Sequence, residues 1–212
     1  MRYLLLIFVA LQLVSCDPRM VKPTAFVTLK ANIFPNANLR LGDTLKLSVI
    51  LGDSLEYFDT AGKSSKIYVT SLEDASYNFA CYKFDTLNGG VYSYSINYDF
   101  VNIFSRKGTM RLGVKAPAGD AYFSNQQKPY TSELYFVPKE KGVYFIELCY
   151  QAVNIKINDN FEARLSVIYK ETVNRNAEMY CRYGLINHAG AYTIESCVND
   201  PERQRFYTFR VE

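Results

Sequence analysis

Apolar and polar side chains alternate with a period of two along much of the chain, which places successive residues on opposite faces of a pleated strand. Leu45, Leu47, Val49 and Leu51 alternate with Lys46 and Ser48, and Met110, Leu112 and Val114 alternate with Thr109, Arg111 and Lys115. Each segment reads as a strand with one wet face. The same reasoning predicts strands over residues 25–33, 66–72, 77–84, 91–104, 133–137, 143–153 and 205–211, separated by turn-forming residues at 36–38, 41–43, 88–90, 117–120 and 138–142. Many short strands punctuated in this way predict an all-β fold, an antiparallel β-sandwich.

Two stretches depart from that pattern. Residues 161–170 fit a helix opened by the capping box Asp159-Asn160-Phe161-Glu162, but the alternation of Phe161, Ala163, Leu165, Val167 and Tyr169 against Glu162, Arg164 and Ser166 is cleaner and favours a strand. Residues 171–205 have little periodicity. They predict an irregular or partly helical excursion before the last strand, with a short helix over 177–182.

The first residues follow a different rule. Arg2 precedes an unbroken apolar run from Tyr3 to Leu11, too short for the roughly 20 residues a spanning helix requires and suited to the core of a signal peptide. After Gln12 comes Leu13-Val14-Ser15-Cys16, which resembles the lipobox of bacterial lipoproteins. The resemblance implies cleavage before Cys16 and a diacylglycerol on its sulfur, so that residues 1–15 are a signal peptide and 16–23 an anchor and tether; independently, the lack of a linker through the middle predicts that residues 24–212 form a single β-sandwich domain. Cleavage after Cys16 by the general signal peptidase, or a buried helix here, are the competing readings. The Asn- and Tyr-rich, strand-heavy body is similar to envelope lipoproteins of the Bacteroidota, in which an acidic run after the cysteine often accompanies surface display. Asp17-Pro18-Arg19-Met20 supplies one acid and then a base, leaving the periplasmic face and the outer surface of the outer membrane both open.

A second resemblance concerns the body. Arg40-Leu41-Gly42-Asp43-Thr44-Leu45 and Val137-Pro138-Lys139-Glu140-Lys141-Gly142-Val143-Tyr144 look like strand starts in immunoglobulin-like modules of bacterial surface proteins. The chain has no Trp, so the Trp-plus-disulfide core of antibody domains is not part of it.

Lys and Arg are dispersed, and the formal charge of +3 forms no basic stripe, which argues against a nucleic-acid partner. With Cys16 set aside, Cys81, Cys149, Cys181 and Cys197 remain in a compartment that permits disulfides. Cys181 and Cys197 flank a turn-rich stretch that a local bridge would order; two buried free thiols are the alternative. Cys81 and Cys149 fall in strand-like segments as a further candidate pair, although Cys149 alternates with Glu147 and Gln151 as an outward residue does.

Catalytic constellations are sparse. His188 is the single histidine, which excludes a site with two histidine ligands and leaves no metal or cofactor to expect. A Cys181 or Cys197 nucleophile paired with His188 lacks an orienting third group. Asn88-Gly89-Gly90 reads as a hairpin turn, and Asp53, Glu56 and Asp59 are the kind of acids any domain of this size carries. Aromatic residues are frequent, at 15%. Tyr92, Tyr94, Ile96, Tyr98 and Phe100 would share one strand face, more simply a core face than a platform for sugars. A recognition loop is expected instead at Tyr122, Phe123 and Tyr130, interspersed with Ser124, Asn125, Gln126, Gln127 and Lys128; aromatics that merely anchor the loop are the plainer reading. The sequence thus predicts a non-enzymatic binding or assembly module held to a membrane through the lipid on Cys16, with an envelope protein or glycan as partner. A polysaccharide-binding accessory protein and an envelope hydrolase are the alternatives.

Overall fold

The computed structural model describes residues 24–35, 38–58, 63–69, 75–85, 91–93, 99–113, 118–124, 128–148, 153–158, 161–169, 177–184, 194–198 and 206–212. The lipobox, Cys149 and His188 lie outside them. Among the described residues no helix is long and apolar enough to cross a membrane.

Two sheets form the body. The first holds six strands in the order β12 (Val153–Asn158), β13 (Phe161–Tyr169), β1 (Thr24–Phe34), β2 (Leu45–Leu51), β10 (Tyr130–Pro138) and β7 (Val101–Lys107). The second runs β14 (Phe206–Val211), β11 (Gly142–Leu148), β5 (Ser76–Asp85), β9 (Ala118–Tyr122) and β8 (Thr109–Leu112), with β6 (Val91–Ser93) beside the end of β5. A hairpin, β3 (Ser54–Phe58) and β4 (Ser64–Tyr68), forms a separate two-stranded sheet whose Leu55 and Ile67 pack on the main core, and two short helices, α1 (Ala177–Gly184) and α2 (Ile194–Val198), occupy the excursion before β14. Neighbouring strands are antiparallel except β1 and β13, which run parallel with Thr24 opposite Glu162.

The alternation visible in the sequence becomes burial. Leu45, Leu47, Val49 and Leu51 of β2 point inward with Leu134 and Phe136 of β10, and meet Phe79, Cys81, Tyr144, Ile146 and Phe209 of the second sheet in one apolar core. The Phe79 and Phe136 rings meet edge to face across the interface, with centroids 6.0 Å apart. Losing such a ring costs about 3–5 kcal/mol. The chain crosses between sheets at tight corners. At the β7–β8 corner Gly108 has φ +75°, and a Cβ there would collide with the Tyr122 carbonyl, so only glycine fits. At the β10–β11 corner the Tyr144 hydroxyl donates to the Glu140 carbonyl four residues upstream, at 2.8 Å. A tyrosine hydroxyl bonded to upstream backbone in this way also occurs in immunoglobulin-type sandwiches.

Several expected boundaries move. Residues 91–104 are not one strand, because a turn at Asp99–Phe100 divides β6 from β7. Phe100 is buried there, and its carbonyl accepts from the Lys139 N–H at 2.9 Å and the Tyr144 hydroxyl at 3.3 Å. Tyr94, Ile96 and Tyr98 lie outside the described residues. Residues 118–122 form β9, where a turn was expected: Gly119 serves close approach, since a Cβ there would press on the Arg111 carbonyl and the Phe79 ring. Of the strand expected over 143–153, residues up to Leu148 lie in β11 and Val153 lies in β12, and residues 149–152 lie outside the described residues.

The strand β11 reads Val143-Tyr144-Phe145-Ile146 without alternation because both of its faces are covered. Tyr144 and Ile146 enter the main core. Val143 and Phe145, with Phe84 and Phe206, form a second cluster on the outer side of the second sheet, closed by Cys181 of α1 and Cys197 of α2. Those two cysteines are joined in a disulfide with a sequence separation of 16. Cys81 is a free thiol within the inter-sheet core, so the Cys81–Cys149 bridge is not formed. Burial pushes its pKa up and keeps it protonated.

Because the bridge fastens the helices over Phe145 and Phe206, replacing both Cys181 and Cys197 with Ala is expected to lower the unfolding free energy by about 3 kcal/mol, the effect of closing a loop of this length. It should also increase binding of a hydrophobic dye. Denaturant titration with unchanged stability and unchanged dye fluorescence would show that the helices hold without it.

Candidate functional site

The second sheet is covered outside by α1 and α2, whereas no described helix lies over the outer face of the first. On that face the register aligns side chains in rows across four strands. Phe34 of β1 pairs with Lys46 of β2, Lys46 with Tyr135 of β10, and Tyr135 with Phe104 of β7. In the next row Asn32 pairs with Ser48, Ser48 with Glu133, and Glu133 with Lys107.

Glu133 belongs to the outward set of β10, yet is only 6% exposed. Its neighbours bury it. Lys46 Nζ donates to Oε1 at 2.8 Å, the Tyr135 hydroxyl donates to Oε2 at 3.0 Å, and Lys107 Nζ lies 3.5 Å from Oε1. Burial is the largest single influence on the carboxyl and disfavours its charge. The hydrogen bonds from Lys46 and Tyr135, with the charges of Lys46 and Lys107, together outweigh it and hold the pKa below the usual carboxylate range. Lys46 moves the opposite way: its hydrogen bond to Glu133 raises its pKa against the opposing effect of burial.

The fourth member of the cluster arrives through a backbone irregularity. Glu133 faces Lys107 while the next residue, Leu134, faces Ser105, so Arg106 is the extra residue of a β-bulge. The Ser105 hydroxyl braces the bulge, lying 3.0–3.2 Å from the carbonyls of Lys107, Gly108 and Glu133. In a regular strand Arg106 and Lys107 would point to opposite faces; the bulge brings both to the outer one. The Arg106 guanidinium sits 4.9 Å from the Tyr135 ring centre and 5.8 Å from that of Phe104. Those two rings stack at 5.3 Å with planes 8° apart. Among the described residues no carboxylate pairs with Arg106. Phe34, 73% exposed, and Ile50, 47% exposed, add apolar surface beside the cations. The arrangement is a sheet face carrying oriented cations beside apolar groups, suited chemically to contact with anionic and apolar groups.

The residues singled out from sequence are placed differently. Of the aromatics in the expected recognition loop, Tyr122 is half-buried in β9, while Phe123 and Tyr130 are buried; residues 125–127 lie outside the described residues. Phe123 packs on Tyr77, with ring centres 5.8 Å apart, because β9 and β10 continue further than the polar residues between them suggest. Asp53 and Glu56 are exposed on the β3–β4 hairpin, and Asp59 lies outside the described residues. Among the described residues no group of three or more His, Cys, Asp or Glu could hold a metal ion. Lys46, Glu133, Arg106 and Lys107 went unnoticed because only cross-strand register unites them. The polar Glu133 within the apolar run of β10 was the one available hint.

No protein-family model matches the chain, and no curated protein sequence does. Among solved structures, the cohesin module from Clostridium perfringens ATCC13124 family 33 glycoside hydrolase is similar at a TM-score of 0.29 and 11% sequence identity, over 66% of this chain and 98% of that one. At that level the likeness bears on neither fold nor function.

The Glu133 pKa is depressed on folding, so its contribution is present above the ordinary carboxylate value of 4.5 and is lost as pH falls through the depressed value. Glu133→Gln is therefore expected to cost about 1.5–3 kcal/mol at pH 7, the range for a hydrogen bond to a charged group. The gap to wild type should narrow in chemical denaturation as the pH is lowered below 4.5 and through the depressed value. A gap that persists unchanged into acid would mean that the ionised carboxylate does not stabilise this face.

Proposed function

We propose that the protein is a lipid-anchored, non-catalytic binding module of the bacterial cell envelope, working through the outer face of its first sheet. The observation that carries this reading is the bulge at Arg106, which brings Lys107 onto the outer face beside Arg106, so that three cations, Lys46, Arg106 and Lys107, share that face with the Phe104–Tyr135 stack and a buried carboxylate. Bulges often re-aim side chains next to functional sites. An ordinary solvent-facing side of a sheet needs neither a buried carboxylate nor an irregular strand. The anchor rests on Leu13-Val14-Ser15-Cys16, which supports a mature chain tethered by about eight residues before β1.

Two readouts on protein in its native membrane test both parts. Intact mass is expected to show a chain beginning at a diacylglyceryl-modified Cys16, and Cys16→Ala to abolish both modification and membrane retention. A photo-crosslinking amino acid at position 104 is expected to give a discrete adduct that the same group at exposed Tyr68 does not. An unmodified chain beginning at Asp17 would overturn the anchor. Equal, diffuse labelling from both positions would overturn the binding face.

A further inference from the structure

We infer that the outer face of the first sheet receives an acidic segment of a partner protein, with a carboxylate seated on Arg106 and an apolar side chain against Phe34; this rests on the binding reading above. Three cations meet one carboxylate here. Glu133 is already engaged by Lys46 and Lys107, so the cluster retains an excess positive charge centred on Arg106, which has no carboxylate partner among the described residues. The Tyr135 and Phe104 rings hold the guanidinium in place, and a planar, pre-oriented fork takes a carboxylate in two parallel hydrogen bonds.

Geometry selects among anionic partners. A carboxylated glycan would need an open aromatic face directly beside the guanidinium, and the exposed Phe34 ring stands three strand spacings from Phe104. Tyr135 and Phe104 instead stack face to face, with Lys46 and Arg106 close to the Tyr135 ring, which turns these rings into supports for cations. A membrane surface is disfavoured by position. The proposed tether joins β1 at Thr24, whereas the Phe34 row lies at the other end of this 11-residue strand, roughly 33 Å away at about 3.3 Å per residue. Phe34 and Phe104 are separated by three strand spacings, about 14 Å, so one short segment can reach both the exposed apolar ring and the guanidinium. Arg, Tyr and Phe are also the residue types enriched at protein–protein interfaces.

The test uses the purified full chain and a fluorescent octapeptide of alternating Glu and Leu, titrated by anisotropy at low ionic strength. Wild type is expected to bind with an affinity that falls as salt is added. Arg106→Ala should weaken it roughly tenfold, corresponding to one lost charge-assisted contact, and Arg106→Glu further, with thermal melts unchanged because Arg106 is exposed. Arg106→Lys, which keeps charge and loses the fork, should fall between wild type and Ala, and Tyr68→Ala should have no effect. Polygalacturonate and phosphatidylglycerol vesicles form two parallel arms. Tighter, Arg106-dependent binding of either one would overturn the acidic-protein assignment while leaving the binding module standing. Wild-type binding to none of the three, or equal peptide binding by wild type and Arg106→Glu, would overturn the inference, whereas the module itself depends on the position-104 adduct.

Discussion

Two sheets that bury one face against each other leave two faces outside, and the way each outer face is treated organises this protein. The inner faces merge in a core where Leu45, Leu47, Leu134 and Phe136 meet Phe79, Tyr144, Ile146 and Phe209. Burial of apolar area supplies most of the stability and tolerates no polar face within it. With the inner faces committed, the apolar outer stripe of Val143, Phe145, Phe84 and Phe206 requires a cover, supplied by α1 and α2 fastened through Cys181 and Cys197. The outer face of the first sheet meets water another way. It carries polar groups, and Glu133 there is neutralised by Lys46 and Lys107.

The edges show similar economy. The edge of β14 is shielded by residues 39–41: the Leu39 N–H donates to the Arg210 carbonyl at 2.8 Å, the Glu212 N–H to the Leu39 carbonyl at 2.9 Å, and the Leu41 N–H to the Glu212 carbonyl at 3.1 Å. Such cover blocks the edge-to-edge pairing that exposed strands invite. At β7 the bulge interrupts the ladder, and the residue it displaces is Arg106. One local irregularity therefore both breaks a flat edge and builds the candidate site.

Strand positions were legible where alternation is long and clean, as in β2, and for β13, where period two prevailed over the capping box, whereas the short β3 was not read from the sequence. Legibility failed where local signals serve long-range ends. Gly119 looks like a turn residue but makes room for a neighbouring carbonyl, and the Asp99–Phe100 turn is hidden in an aromatic-rich run because Phe100 is a buried turn residue held by Tyr144. The lack of alternation in β11 depends on helices that begin at Ala177, well beyond the strand's end at Leu148. The candidate site was less legible still. Its members come from β1, β2, β7 and β10, and their assembly requires the β1–β2 and β2–β10 registers together with a one-residue slip between β10 and β7. Tyr122, Phe123 and Tyr130 drew notice as aromatics among polar residues, but their rings were needed for packing.

Hydroxyl-radical footprinting of the intact protein, before and after reduction, compares the two outer faces directly. With the disulfide formed, Phe34 and Ile50 should be modified rapidly while Phe145 and Phe206 are protected, and reduction should raise modification of the latter pair alone. Equal modification of Phe145 and Phe34 in the oxidised protein, or protection of Phe34 and Ile50 in the isolated chain, would contradict a sandwich with one covered and one open face.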